Sequence, residues 1–231
     1  MRAPKSMSFE VKIKTTAWAS CSTRGSKMPA PITYIPNFLP TPNEFEILLR
    51  DTLEWERRPD APRCEYYCND FPEAYTYGRG AGVRTYEPRP WTPAIREIRD
   101  RLESHTKSRF EVCFLNRYLD QSDHLGWHAD DSPEMDDARP IAIVSLGVER
   151  EIMFRPKIAP GLRGQPDEVV IFDVKADGTL DLPVVEKLRL GHGSLCLMAP
   201  GMQDTWQHRI PKAGFQCGER ISLTFRGYIQ P

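Results

Sequence analysis

An antiparallel double-sheet barrel or jelly roll, mainly β with helices packed outside, is the fold class that this sequence predicts. Three observations predict it. Twenty-one prolines and 15 glycines punctuate the chain, too often for a helical bundle. From Phe110 onward the apolar period changes from 3.6 to 2. Short strand candidates then follow one another, separated by Gly, Pro and Asp clusters.

The elements follow in order. Residues 32–39 form a short apolar stretch broken by Pro36, as in an edge strand and turn. A helix is expected next. Thr41 stands at the cap, Pro42 at the first helical position, and Glu44 closes a Thr-x-x-Glu box. Phe45, Leu48, Leu49 and Leu53 form its apolar face. Residues 56–90 read as mostly loop. A second helix starts at Thr92-Pro93, with Ile95, Ile98 and Leu102 buried and Arg96, Arg99 and Arg101 outward. Strands are expected at 110–119, 141–146, 151–155, 168–174, 184–190, 194–198, 205–210 and 219–228, with a hairpin turn at Asp177-Gly178.

The 231 residues suit one large domain better than two small ones. Lys+Arg 31 against Asp+Glu 32 leaves a net charge of −1, so any nucleic-acid site must be a local patch. No apolar run approaches the roughly 18 residues of a membrane-spanning helix, and no membrane partner is expected. Residues 1–31 are expected to form a basic, flexible arm preceding a domain over 32–231. The arm also has the composition of an organelle transit peptide, and it carries no apolar signal-peptide core. An intracellular monomer is expected, with nuclear, organellar and bacterial compartments left open. Cys113, Cys196 and Cys217 lie in or beside apolar runs and are expected to be buried free thiols. Cys64-x3-Cys68 is the one close pair, and it lacks two nearby partners for a zinc site.

The chemistry-bearing residues fall late in the chain. In Trp127-His128-Ala129-Asp130 an extended backbone would put His128 and Asp130 on the same face. His208, in a predicted strand, can supply a third ligand. Two histidines and a carboxylate on one face of a metal leave positions open, as in non-haem iron(II) oxygenases. In the last strand Arg220, Ser222, Thr224 and Arg226 share one face, and Ile221, Leu223 and Phe225 the other. Two arginines facing into a barrel need an anion. A dicarboxylic co-substrate would meet the metal at one end and an arginine at the other. Asn116 and Tyr118, two apart on an earlier strand, can face the same cavity.

Together, Asn116-Arg117-Tyr118, His128-x-Asp130, His208 and Arg220-x5-Arg226 resemble the AlkB family of iron(II)- and 2-oxoglutarate-dependent dioxygenases. Tyr75-Thr76-Tyr77-Gly78 and Pro88-Arg89-Pro90-Trp91 resemble the substrate lid of its nucleic-acid-repairing branch, here about 63–91. The resemblance covers roughly residues 32–228. It implies a double-stranded β-helix core. It also implies Fe(II) held by His128, Asp130 and His208, with 2-oxoglutarate as co-substrate and O2 as oxidant. Arg220 would pair with the distal carboxylate, helped by Tyr118. Arg226 and Asn116 would sit near the metal-bound end, and Ser222 between the arginines. Many relatives have Asn where Ser222 stands, so one co-substrate hydrogen bond would be missing or bridged by water.

The implied activity is oxidative dealkylation of N-alkylated bases in DNA or RNA, releasing aldehyde, succinate and CO2. A base must be flipped out or unpaired to reach a buried iron. Aromatic walls and cations are then expected from Tyr75, Tyr77, Tyr86 and Trp91 and from Arg79, Arg84 and Arg89. Asp131 joins these as a substrate contact, although it also heads an acidic run through Asp137 that reads as a solvated loop. The acidic residue that contacts the alkylated base in several relatives falls at Ser132 here, and residues 157–183 form a long link. Both leave open an oxygenase of the same core that acts on a protein or small molecule. A non-enzymatic jelly-roll binding module is the third reading. His105, His124 and His192 are expected to be structural, and Trp127 and Trp206 to pack behind the ligand histidines.

Overall fold

The computed structural model describes residues 30–59, 61–77, 83–157, 173–174, 180–181 and 185–229. Most of the basic arm, Cys21, Arg79, the glycines at 78–82, most of the long link and the Asp177-Gly178 turn lie outside these residues.

The chain begins with β1 (Ile32–Ile35), α1 (Pro42–Thr52) and β2 (Cys64–Asn69). A hairpin of β3 (Tyr75–Tyr77) and β4 (Arg84–Tyr86) precedes α2 (Pro93–Thr106). Then come β5 (Val112–Tyr118), β6 (Leu125–His128), β7 (Ile141–Gly147) and β8 (Arg150–Pro156). The short β9 (Asp173–Val174) and β10 (Leu180–Asp181) pair antiparallel on either side of the expected turn. Last are β11 (Glu186–Leu190), β12 (Ser194–Met198), the one-turn α3 (Met202–Thr205), β13 (Trp206–Ile210) and β14 (Arg220–Arg226).

Two antiparallel sheets form the body. The larger has the order β1-β12-β7-β14-β5-β2 and the smaller β11-β8-β13-β6. Pro36 ends β1, which lies on an edge as expected. The outer face of the large sheet carries the helices. Phe45, Leu49, Ile95, Ile98 and Leu102 pack there against Leu115, Val144, Ile221, Leu223 and Phe225. The inner face meets the small sheet through Ile143, Ile152, Phe154, Leu190 and Met198. Core burial of this kind is worth about 1.5–3 kcal/mol per large apolar side chain.

Several expectations need correction. Residues 56–90 are not mostly loop, because β2 and the β3–β4 hairpin lie there. β2 escapes the period-2 pattern because all six of its residues are buried. Tyr66 and Cys68 face the helix-side core, while Tyr67 faces the hairpin. Thr41 makes no side-chain cap; its carbonyl instead accepts from the Glu44 and Phe45 amides. Thr92 does cap, with Oγ1 accepting from the Ile95 amide at 3.4 Å. Leu48 is 48% exposed, so the buried face of α1 is narrower than expected. Cys217 is half-buried, because it sits in the loop before β14. Thr205 ends α3 and does not open the strand.

Candidate metal centre and its cavity

Strand register builds the metal centre. His208 on β13 is the direct partner of His128 on β6. The register slips between His208 and Ile210, where Ile210 pairs with Leu125. Three steps along β6 thus match two along β13. This bulge lets both Leu125 and His128 line the same cavity, although strict alternation would separate them. Asp130 follows two residues after His128 and is held by Gln203 on α3, whose Oε1 accepts the Asp130 amide at 2.9 Å.

Ligand atoms of His128, Asp130 and His208 lie within 4.8 Å of one another. His128 Nε2 is 3.7 Å from Asp130 Oδ1, and His208 Nε2 is 3.8 Å from Asp130 Oδ2. The Nδ1 of His128 lies 2.9 Å from the Gly126 carbonyl. A proton on that nitrogen leaves Nε2 as the lone-pair donor to a metal. Burial pushes both imidazoles down, His208 to about 3 with the help of His128. Burial opposes the Asp130 charge, but Arg226 and the two imidazoles outweigh it and hold its pKa below the usual carboxylate range. Arg226 Nη2 reaches Asp130 Oδ1 at 2.7 Å. At neutral pH the centre thus offers two neutral imidazoles and one carboxylate.

Behind it, β14 pairs with β5 and places Arg220 opposite Tyr118, Ser222 opposite Asn116 and Arg226 opposite Val112. All four inward residues of β14 are buried. Arg220 is fully buried; Nη2 donates to Ser145 Oγ at 2.8 Å, while Nε and Nη1 have no hydrogen-bond partner. The Tyr118 ring lies 5.3 Å from this guanidinium. Burial lowers the Arg220 pKa to about 10, with nearby Arg150 adding to the effect.

One cavity joins the centre to the hairpin. It is lined by Arg63, Tyr75, Tyr86, Phe114, Asn116, Leu125, His128, Asp130 and Arg226. Tyr75 and Tyr86 stack 6.3 Å apart, and Tyr86 meets Phe114 edge-on at 4.8 Å. The Tyr75 hydroxyl shares a 2.8 Å hydrogen bond with Ser132 Oγ. Arg84 points to the wall, 3.7 Å from Glu65. Asp131 is exposed and bonded to Lys157 at 2.7 Å, away from the cavity lining. Trp91 is buried in the helix-side core over Phe225, and Arg89 pairs with Glu54 on the surface. Tyr77 belongs to β3, and Arg79 lies outside the described residues.

The description "2OG-Fe(II) oxygenase superfamily" fits residues 32–226. The chain belongs to that superfamily. It is 34% identical over 165 residues to the DNA oxidative demethylase ALKBH2 of Mus musculus, covering 71% of this chain and 61% of that protein. It is 33% identical over 168 residues to the alpha-ketoglutarate-dependent dioxygenase alkB homolog 3 of Homo sapiens, covering 71% of this chain and 51% of that protein. The chain thus spans between about half and three-fifths of these curated relatives, which support the AlkB branch. In fold it matches the solved structure of OsALKBH1 with TM-score 0.50 at 15% identity, over 87% of this chain and all of that one. A Pseudomonas putida prolyl-4-hydroxylase matches with TM-score 0.51 at 14% identity, over 87% of this chain and 94% of that one.

The residues fit the superfamily's Fe(II) and 2-oxoglutarate. Asp130 Oδ2 is buried with no hydrogen-bond partner, as a ligand atom awaiting a cation would be. The orphaned Nε and Nη1 of Arg220 offer donors for a carboxylate.

Sequence reading missed four residues of this superfamily member's site. Arg63 and Glu65 alternate on one face leading into β2, a pattern legible only once that stretch is known to be a strand. Gln203 has no signal, because it lies between two predicted strands in a stretch with no predicted element. Arg150 is buried and donates to the carbonyls of Asp120, Asp123 and Pro211, with its guanidinium 5.7 Å from the Tyr118 ring. As the first residue of an apolar strand it resembled an ordinary surface charge.

Proposed function

We propose that the chain is an Fe(II)- and 2-oxoglutarate-dependent dioxygenase that removes alkyl groups from ring nitrogens of DNA or RNA bases. The observation that carries this reading is the cavity shared by His128, Asp130 and the aromatic side chains Tyr75, Tyr86 and Phe114. An aromatic-walled slot beside a metal centre suits a flat base taken out of its stack. Bound together, Fe(II), 2-oxoglutarate and O2 supply the oxidation of an N-alkyl carbon, leaving succinate, CO2 and, after breakdown of the product, an aldehyde.

The chain's own residues do the positioning. Arg220, with Tyr118 and Ser145 beside it, would hold the distal carboxylate of 2-oxoglutarate. Arg226 fixes the Asp130 carboxylate beside the imidazoles, so that the ligand set is organised before substrate arrives. Tyr75 and Tyr86 on the hairpin, together with Phe114, line the slot that would take the base.

A panel of singly alkylated oligonucleotides, incubated with Fe(II), 2-oxoglutarate and air, tests the reading. Formaldehyde release with a matching loss of 14 Da from methylated strands (one CH2, by general chemistry) is expected. Continued succinate formation with unchanged oligonucleotide masses would instead favour a protein or small-molecule substrate.

A further inference from the structure

We propose that Arg150 is a positioning residue that holds the bulge between β6 and β13 and thereby aligns the imidazoles of His128 and His208. The inference rests on the metal centre and is independent of what the substrate is.

The bulge needs a support that the backbone ladder does not supply. Pairing of β13 with β8 stops at Arg209 and Met153, and its pairing with β6 stops at Ile210 and Leu125. Pro211 comes next and has no N–H, so the ladder cannot continue through it. Arg150, at the start of β8, takes over with its side chain. Its Nη2 donates to the Pro211 carbonyl at 2.6 Å and to the Asp123 carbonyl at 2.9 Å, and its Nη1 donates to the Asp120 carbonyl at 3.2 Å. One guanidinium thus ties the end of β13 to the segment that enters β6. The two carbonyls on Nη2 flank the Ile210–Leu125 pair that closes the bulge.

The chemistry of the contact suits this task. Arg150 is buried, and the three bonds all go to backbone carbonyls. The Asp123 carboxylate is turned to Arg57 instead, at 2.7 and 2.9 Å. A planar guanidinium with fixed donor directions can hold acceptors from two chain segments in one geometry, as a flexible ammonium cannot. The same group lies 5.7 Å from the Tyr118 ring, which is 5.3 Å from the Arg220 guanidinium. The support therefore stands behind both halves of the site.

The bulge in turn governs the ligands. Gly126, inside it, presents its carbonyl to His128 Nδ1 at 2.9 Å, the contact that leaves Nε2 for a metal. Release of the outer pair would let the register slip by one residue, so that Gly126 faced Ile210. Leu125 would then turn away from the face that His128 shares with the cavity. The imidazole would lose both that neighbour and the backbone geometry that directs its ring.

Co(II) titration of the full chain under nitrogen, followed by visible absorbance, tests the inference without any nucleic acid. Arg150→Met, which keeps length but no donor, is expected to weaken Co(II) binding by about 10- to 100-fold and to shift its absorption bands. Amide hydrogen exchange should quicken locally, over residues 120–128 and 208–213. Arg150→Lys keeps the charge without the planar fork and is expected to fall between wild type and Arg150→Met; it carries the test should Arg150→Met not fold. Leu49→Ala, destabilised in the helix-side core, is the control and is expected to keep wild-type Co(II) affinity and bands. Folded Arg150 variants that bind Co(II) within about threefold of wild type, with unshifted bands, would overturn the inference. An equal loss in Leu49→Ala would overturn it as well. A wild type that binds no Co(II) would remove the metal centre together with the inference.

Discussion

Replacing Arg220 by Met should move two observables in opposite directions. The side chain is fully buried, and Nε and Nη1 have no hydrogen-bond partner. Receiving a carboxylate there adds two charge-assisted hydrogen bonds, each worth about 1.5–3 kcal/mol. Their loss should weaken 2-oxoglutarate binding by at least about 150-fold, the factor for 3 kcal/mol. The empty pocket responds differently. Burial lowers the Arg220 pKa to about 10, so the unfolded chain keeps this proton to a higher pH than the fold does. Stability therefore rises as pH climbs from about 10 toward the usual arginine value. Below pH 10 the buried cation costs the fold on the order of 3 kcal/mol. Met, of similar length and uncharged, removes that cost, so the apoprotein should melt at the same temperature or a few degrees higher. Thermal melts with and without 2-oxoglutarate, in the presence of Mn(II), read both effects. The wild type should gain melting temperature with ligand and the variant should not. A variant that binds within about threefold of wild type, or whose apoprotein melts well below it, would show that Arg220 serves the fold and not the co-substrate.

Other expectations follow from the same geometry. Asp130→Ala removes a ligand and leaves Arg226 without its 2.7 Å partner; divalent-metal binding by calorimetry should become undetectable, and retained binding would refute the centre. Gln203→Ala removes the acceptor for the Asp130 amide, so Co(II) affinity, followed by its visible absorbance, should fall about 10- to 100-fold while the fold survives. Burial pushes the Cys68 and Cys196 thiols up to about 12, and Cys113 up as well. All three should resist iodoacetamide at pH 8 until the protein is unfolded, as peptide mapping would detect. Leu49→Ala should cost about 2–5 kcal/mol in urea unfolding, whereas the exposed Leu48→Ala should cost within about 0.5 kcal/mol; equal costs would contradict the helix phase seen here.

Strand alternation alone determined which residues of β14 face inward, because side chains on a strand point to opposite faces whatever surrounds them. The same local rule separated Asn116 and Tyr118 from the helix-side core, and Pro42 and Pro93 marked both long helices. The metal ligands could be nominated by residue type and resemblance, but the meeting of His128 and His208 required two strands 80 residues apart to pair in one register. Only the tertiary structure supplied the bulge that turns Leu125 and His128 into one cavity. It alone turned Asp131 out to Lys157 and sank Trp91 into the core. It also made a strand of 64–69, since packing on both faces erases the polar alternation by which a half-exposed strand is recognised. The contacts of Arg63 with Asn116 and Glu65 have the same origin. Sequence fixes a side chain's chemistry and its local direction, whereas its partners across strands and hairpin depend on long-range register, which no local pattern encodes.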